Sequence, residues 1–123
     1  MTERTGGCLC GGVRYRLTAE PAAAYACHCT ECRRQTGYVL ATAEMPRGAV
    51  RIDAEATLRW FESSPGTRRG FCARCGSVLF WEREASPNRY VTLGSLDHAT
   101  GLRIERHVFV EEAGDYYDAP DRA

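Results

Sequence analysis

Cys72-Ala73-Arg74-Cys75-Gly76 decides how this chain is read. The Cys-x-x-Cys spacing lets one tight turn aim two thiolates at a single ion, and the glycine after it permits the positive φ such a turn often needs. Two thiolates are half of a tetrahedral zinc site. The other half is offered by Cys8-Leu9-Cys10-Gly11-Gly12. Residues i and i+2 of an ideal strand share a face but lie too far apart to chelate comfortably. Cys8 and Cys10 must therefore sit on a bent segment, and Gly6, Gly7, Gly11 and Gly12 supply that freedom. Cys8, Cys10, Cys72 and Cys75 make a closed four-sulfur set, the donor set of structural zinc.

Three of the seven cysteines remain, in Cys27-His28-Cys29-Thr30-Glu31-Cys32. An odd total rules out complete internal disulfide pairing, and close spacings of reduced thiols read as metal-binding or redox. Cys29 and Cys32 are three apart, so at a helix start they point the same way, with Cys27 approaching from the preceding loop. Three protein ligands leave one tetrahedral position open, which is what separates catalytic from structural zinc. Two other readings stand beside this one. A histidine (His28, His98 or His107) would complete a second structural site, or Cys29 and Cys32 would be a redox couple, although no βαβ pattern accompanies them. Three thiolates around a divalent ion leave a surplus negative charge. Such a site activates water poorly but accepts a further soft ligand such as a substrate thiolate. Arg33 and Arg34 follow directly and are positioned in sequence to offset that charge or to hold a substrate carboxylate.

Working outward, the rest of the chain reads as an all-β domain. Residues 13–17 alternate apolar and basic, the period of a half-buried strand. Further strands are expected at 39–45, 50–53, 58–62, 78–81, 90–93 and 106–110, separated by Gly, Pro, Ser or Asn. The one helical start is Thr30, read as the cap, with the helix ending at Gly37. Arg68-Arg69 reads as a solvated turn, and Trp60, Phe61, Phe71, Phe80 and Trp81 as core. The acidic, aromatic tail around Tyr116 and Tyr117 is expected to pack its tyrosines onto the domain.

Composition limits the partners. With 123 residues the chain has the size of one domain. Its 16 basic and 16 acidic residues cancel, so no global field holds a polyanion, which argues against nucleic acid. No apolar run reaches the length of a membrane span, and residues 1–7 show no secretory h-region. A cytoplasmic location is the expectation.

The order of the motifs carries more than their spacing. Cys8-Leu9-Cys10-Gly11-Gly12-Val13-Arg14-Tyr15 is followed by Cys27-His28-Cys29 with Cys32-Arg33-Arg34, then by Phe71-Cys72-Ala73-Arg74-Cys75-Gly76-Ser77. Val91-Thr92-Leu93-Gly94-Ser95-Leu96-Asp97 and His107-Val108-Phe109-Val110 come after. This arrangement resembles the glutathione-dependent formaldehyde-activating enzyme family over about residues 7–120. The resemblance implies a mainly β, Mss4-like fold of several small antiparallel sheets around a structural zinc, with one short helix, as a single domain over 1–123. It implies two zincs per chain: a structural one on Cys8, Cys10, Cys72 and Cys75 and a catalytic one on Cys27, Cys29 and Cys32. It also implies a carbon–sulfur lyase of the S-(hydroxymethyl)glutathione synthase type. Such an enzyme acts on a small carbonyl compound with glutathione or another thiol as co-substrate. The alternative is a non-catalytic, zinc-stabilised Mss4-like module that binds a protein partner, which gives Cys27, Cys29 and Cys32 no role.

Overall fold

The structure, a computed structural model, describes residues 3–120. Of the 1–123 span read as one domain, and of the amino-terminal stretch read for a signal, Met1, Thr2 and residues 121–123 lie outside the described residues. The described chain runs β1 (Arg4–Gly7), β2 (Arg14–Leu17), β3 (Ala24–Cys27), α1 (Thr30–Thr36), β4 (Leu40–Pro46), β5 (Val50–Ala54), β6 (Leu58–Ser64), β7 (Thr67–Cys72), β8 (Val78–Arg83), β9 (Asn88–Thr92) and β10 (Arg106–Val108). The mainly β class expected from the sequence holds, with α1 the single α-helix among the described residues. No helix there is long and apolar enough to cross a membrane.

Two sheets form. A three-stranded sheet has the order β1-β2-β5, and a seven-stranded sheet the order β10-β3-β4-β9-β8-β7-β6. β10 runs parallel to β3, and the other neighbouring strands are antiparallel. The core lies where the sheets meet. Tyr15 and Leu17 from β2 join Met45, Phe80 and Val91 from the larger sheet in one buried cluster. The Tyr15 and Phe80 rings meet edge-on at 5.3 Å, a preferred aromatic geometry. Alternation in 13–17 does what period two requires: Tyr15 and Leu17 are buried while Arg14 and Arg16 pair outside with Asp97 and Asp53.

One buried acid sits at the edge of this core. Glu82, only 2% exposed, accepts from Arg89 at 2.5 Å and Arg68 at 2.8 Å. Burial alone would raise its pKa, but the two guanidiniums outweigh burial and hold it below the usual range.

Several local expectations are corrected. Arg68-Arg69 is not a turn but part of β7, paired to β6 and β8. The two arginines point to opposite faces, one to Glu82 and one to α1; Arg68 stays 47% exposed, as a solvated pair would be, but Arg69 is buried. The strand read at 106–110 stops at Val108, because Phe109 turns to φ 56 and residues 110–112 wind into a 3-10 turn. Strands β1 and β3 escaped the reading, since Arg-Thr-Gly-Gly and Ala-Tyr-Ala-Cys carry weak strand propensity and are held by their neighbours. Helix α1 ends at Gly37 (φ 83) as expected, but its N-cap is Cys29, not Thr30; the Cys29 sulfur accepts the Cys32 N–H at 3.3 Å. Phe80 is core, whereas Phe61 is 60% exposed on the edge strand β6.

Candidate metal centres

The cysteines gather into two groups in which all sulfurs lie within 4.8 Å of one another. The first joins the β1–β2 connection (Cys8, Cys10) to the end of β7 and the turn beyond it (Cys72, Cys75). Cys10 Sγ lies 3.6 Å from Cys8 Sγ and 3.7 Å from Cys72 Sγ. Bonds of about 2.3 Å to one tetrahedral ion would set neighbouring sulfurs about 3.8 Å apart, close to the two separations around Cys10. The surroundings supply hydrogen-bond donors to the sulfurs, although burial still pushes the Cys8 thiol up. Val13 N–H donates to Cys8 Sγ at 3.2 Å, Cys75 N–H to Cys72 Sγ at 3.4 Å, and Arg74 Nε to Cys10 Sγ at 3.2 Å. The Ser77 hydroxyl and backbone N–H draw Cys75 down to about 5, and Thr57 lowers Cys72. The turn depends on Gly76, at φ 83, as its Cys-x-x-Cys-Gly pattern predicted.

The second group takes Cys27 from the end of β3 and Cys29 and Cys32 from the start of α1. Here the helix cap is also a candidate ligand atom, because the Cys29 sulfur that tops the helix also lies near the other two. The Cys27–Cys32 hydrogen bond draws Cys32 down to about 6, with the Arg69 guanidinium assisting, while the same contact and burial push Cys27 up. No histidine joins either group among the described residues. His28, although flanked by two of the cysteines, is 2% exposed; its Nδ1 bonds the Tyr117 hydroxyl at 2.5 Å and its Nε2 bonds His107 Nδ1 at 3.1 Å. Of the two tail tyrosines, Tyr117 therefore packs onto the domain as expected, whereas Tyr116 is 57% exposed. Among the described residues, no fourth His, Cys, Asp or Glu side chain is grouped with these three sulfurs.

A pocket of about 460 Å³ opens beside the three sulfurs. Its floor is the outer face of the seven-stranded sheet. Tyr25, Thr42, Tyr90, Trp81 and Arg69 come from five strands and share one parity in the ladder, opposite to that of the core residues Ala24, Ala43, Val91, Phe80 and Gly70. Trp81, expected in the core, lines this pocket, edge-on to Tyr90 at 5.0 Å. Arg33 and Arg34 do not line it. The pocket's cations are Arg69 and Arg83. Arg69 is the residue that sequence reasoning missed. Only alternation over Thr67-Arg68-Arg69-Gly70-Phe71 could have signalled that one of two adjacent arginines faces inward.

The phenols on the floor are already committed. Tyr25 and Tyr90 each donate to Glu44 at 3.1 Å. Burial, then the adjacent Glu44 carboxylate, push Tyr90 up to about 12, so its proton stays in place at neutral pH.

Comparison with known proteins places these observations. The glutathione-dependent formaldehyde-activating enzyme family matches residues 3–112. An uncharacterized lyase of Schizosaccharomyces pombe is 22% identical over 122 residues, spanning 96% of this chain and 86% of that protein. A solved protein of Rhodobacter sphaeroides superposes with a TM-score of 0.67 at 23% identity, covering 84% of this chain and 98% of that chain; at this identity the likeness speaks for a shared fold.

Proposed function

The chain belongs to the glutathione-dependent formaldehyde-activating enzyme family and is lyase-like, and from that premise we propose that it makes and breaks the carbon–sulfur bond of a thiol–carbonyl adduct, as an S-(hydroxymethyl)glutathione synthase does. It works as a single domain with two zincs: a structural ion on Cys8, Cys10, Cys72 and Cys75 and a catalytic one on Cys27, Cys29 and Cys32. Both donor sets fit such an ion in number, spacing and chemistry. When bound at the three-sulfur group, zinc supplies Lewis acidity and an attachment point for a soft ligand.

The observation that carries this reading is the pairing of a three-sulfur group, with no fourth side-chain ligand among the described residues, with a pocket that reaches all three sulfurs. In the forward direction the thiol sulfur bonds the carbonyl carbon and the thiol proton ends on the carbonyl oxygen. The reverse breaks that bond and returns the proton. The pocket holds the two reactants together, which lowers the entropic part of the barrier. Arg83 on the pocket wall offers positive charge to a thiol that carries carboxylates, as glutathione does. Tyr25 and Tyr90 shape the floor but do not donate to the carbonyl oxygen, because their protons are held by Glu44. A glutathione-using enzyme works where that thiol is abundant, in the cytoplasm. The binding-module alternative leaves the three-sulfur group and its pocket unexplained.

The test is direct. Purified protein is assayed for zinc and for acceleration of glutathione–formaldehyde exchange by NMR. Two zincs per chain and accelerated exchange are expected. Two zincs without acceleration of any thiol–aldehyde pair would reject the catalytic assignment.

A further inference from the structure

Arg69 occupies an unusual position for a guanidinium. It is 3% exposed, on the sheet rather than on the helix that bears the sulfurs. Its Nε donates to Ser63 Oγ at 3.0 Å, which fixes the plane of the fork from the β6 side. Nη1 reaches across to Gln35 Oε1 at 2.9 Å and Cys32 Sγ at 3.5 Å, and Nη2 lies 3.4 Å from Glu31 Oε1. Three of these four partners belong to α1. One side chain thus ties the metal-bearing helix to the pocket floor and places a fixed positive charge against one sulfur.

From this geometry we propose that Arg69 is a positioning residue of the three-sulfur centre, and that retention of the metal on Cys27, Cys29 and Cys32 depends on it while retention on the other four cysteines does not. The inference rests on the reading that Cys27, Cys29 and Cys32 hold a metal. Two physical effects act together. Three thiolates and a divalent ion leave surplus negative charge, and a cation held in a dry site offsets it far better than one in water. The fork also holds Cys32 in the orientation that faces Cys27 and Cys29, an outer partner of the kind that commonly governs metal affinity. The four-sulfur group has its own cation in Arg74, at 3.2 Å from Cys10 Sγ, and owes nothing to Arg69. That separation makes the two centres internal controls for each other.

The experiment titrates the zinc-loaded protein with a chelator and counts metal released per chain, with cobalt-substituted protein reporting sulfur-to-cobalt absorption at each centre. In Arg69→Gln the more labile metal should leave at a chelator concentration lower by about 10- to 100-fold, the range typical for loss of an outer partner of a metal ligand. The tighter metal and the circular dichroism spectrum should be unchanged. Equal weakening of both centres, or no change at either, overturns the proposal. If Arg69→Gln does not fold, Arg69→Lys, which keeps the charge in the same cavity without the fork, takes its place. The labile metal is then expected to weaken selectively by several-fold, and an unchanged release profile again overturns the proposal. Wild-type protein that binds a single metal rejects the reading beneath it; two metals with an indifferent Arg69→Gln reject only the role of Arg69.

Discussion

Glu112 Oε1 accepts hydrogen bonds from both the backbone N–H and the hydroxyl of Thr30, each at 3.0 Å. A carboxylate from the end of the fold thereby satisfies an otherwise orphaned donor of the first helical turn, where negative charge is also favoured by the helix dipole. Because Thr30 stands between Cys29 and Cys32, this latch bears on the three-sulfur centre. Glu112→Ala is expected to cost about 0.5–1.5 kcal/mol, the ordinary worth of such bonds at a partly exposed site. It should also raise KM more than it lowers kcat, since Glu112 and Phe109 line the pocket mouth. Urea titration and steady-state kinetics check this, and a loss confined to kcat would place Glu112 in the chemistry instead.

The two cysteine groups should respond oppositely to a single sulfur-to-oxygen change. Cys29→Ser removes a sulfur from the proposed three-sulfur centre, yet serine is itself a strong N-cap and can take over the helix start. The variant should fold, hold one zinc and lose turnover. Cys72→Ser should aggregate or unfold, because binding at a structural site is folding free energy. Metal analysis with circular dichroism distinguishes the outcomes, and a Cys29→Ser protein that unfolds would count against a catalytic centre.

Tyr90 tests whether the pocket floor does acid–base work. Its phenol is pushed up to about 12 by burial and then by Glu44, from an ordinary value of 10.0. A raised folded value means the neutral phenol is favoured in the fold. That stabilisation is complete below pH 10 and disappears as the pH climbs toward 12. Tyr90→Phe should therefore flatten the alkaline limb of the stability profile while leaving turnover at pH 7 within about threefold, or under about 0.7 kcal/mol in activation energy. A hundredfold fall in kcat would make the phenol a proton donor after all.

Phe80 joins the two sheets. It meets Tyr15 edge-on and stacks with Trp60 at 5.9 Å, and it is 1% exposed. Phe80→Ala should cost about 3–5 kcal/mol through lost burial and the cavity left behind. Denaturant unfolding in excess zinc measures it, and a cost below about 1 kcal/mol would mean the core can collapse around the gap.

The cysteine groups were legible because their internal spacing is covalent. Cys72 and Cys75, or Cys29 and Cys32, are neighbours through a single turn whatever the rest of the chain does, and the pairing of Cys8 and Cys10 with the later turn was supported by the family resemblance of the motif order. The strands at 13–17, 50–53 and 58–62 were legible for a similar reason, since alternation and turn residues act over a few positions; β4 and β8 were found with their ends displaced by one or two residues. The side on which Arg69, Trp81 and His28 act was not legible. Arg69 opposes Phe61 on one side and Trp81 on the other, and Trp81 opposes Tyr90. A slip of one residue in one of those pairings would send the slipped strand's side chains to the opposite face. The sequence by itself determined that this protein has two sulfur groups, one of four and one of three. Only tertiary structure decided what stands around the group of three, because long-range strand register sets the pocket floor and a tail 89 residues away, through Tyr117, engages His28.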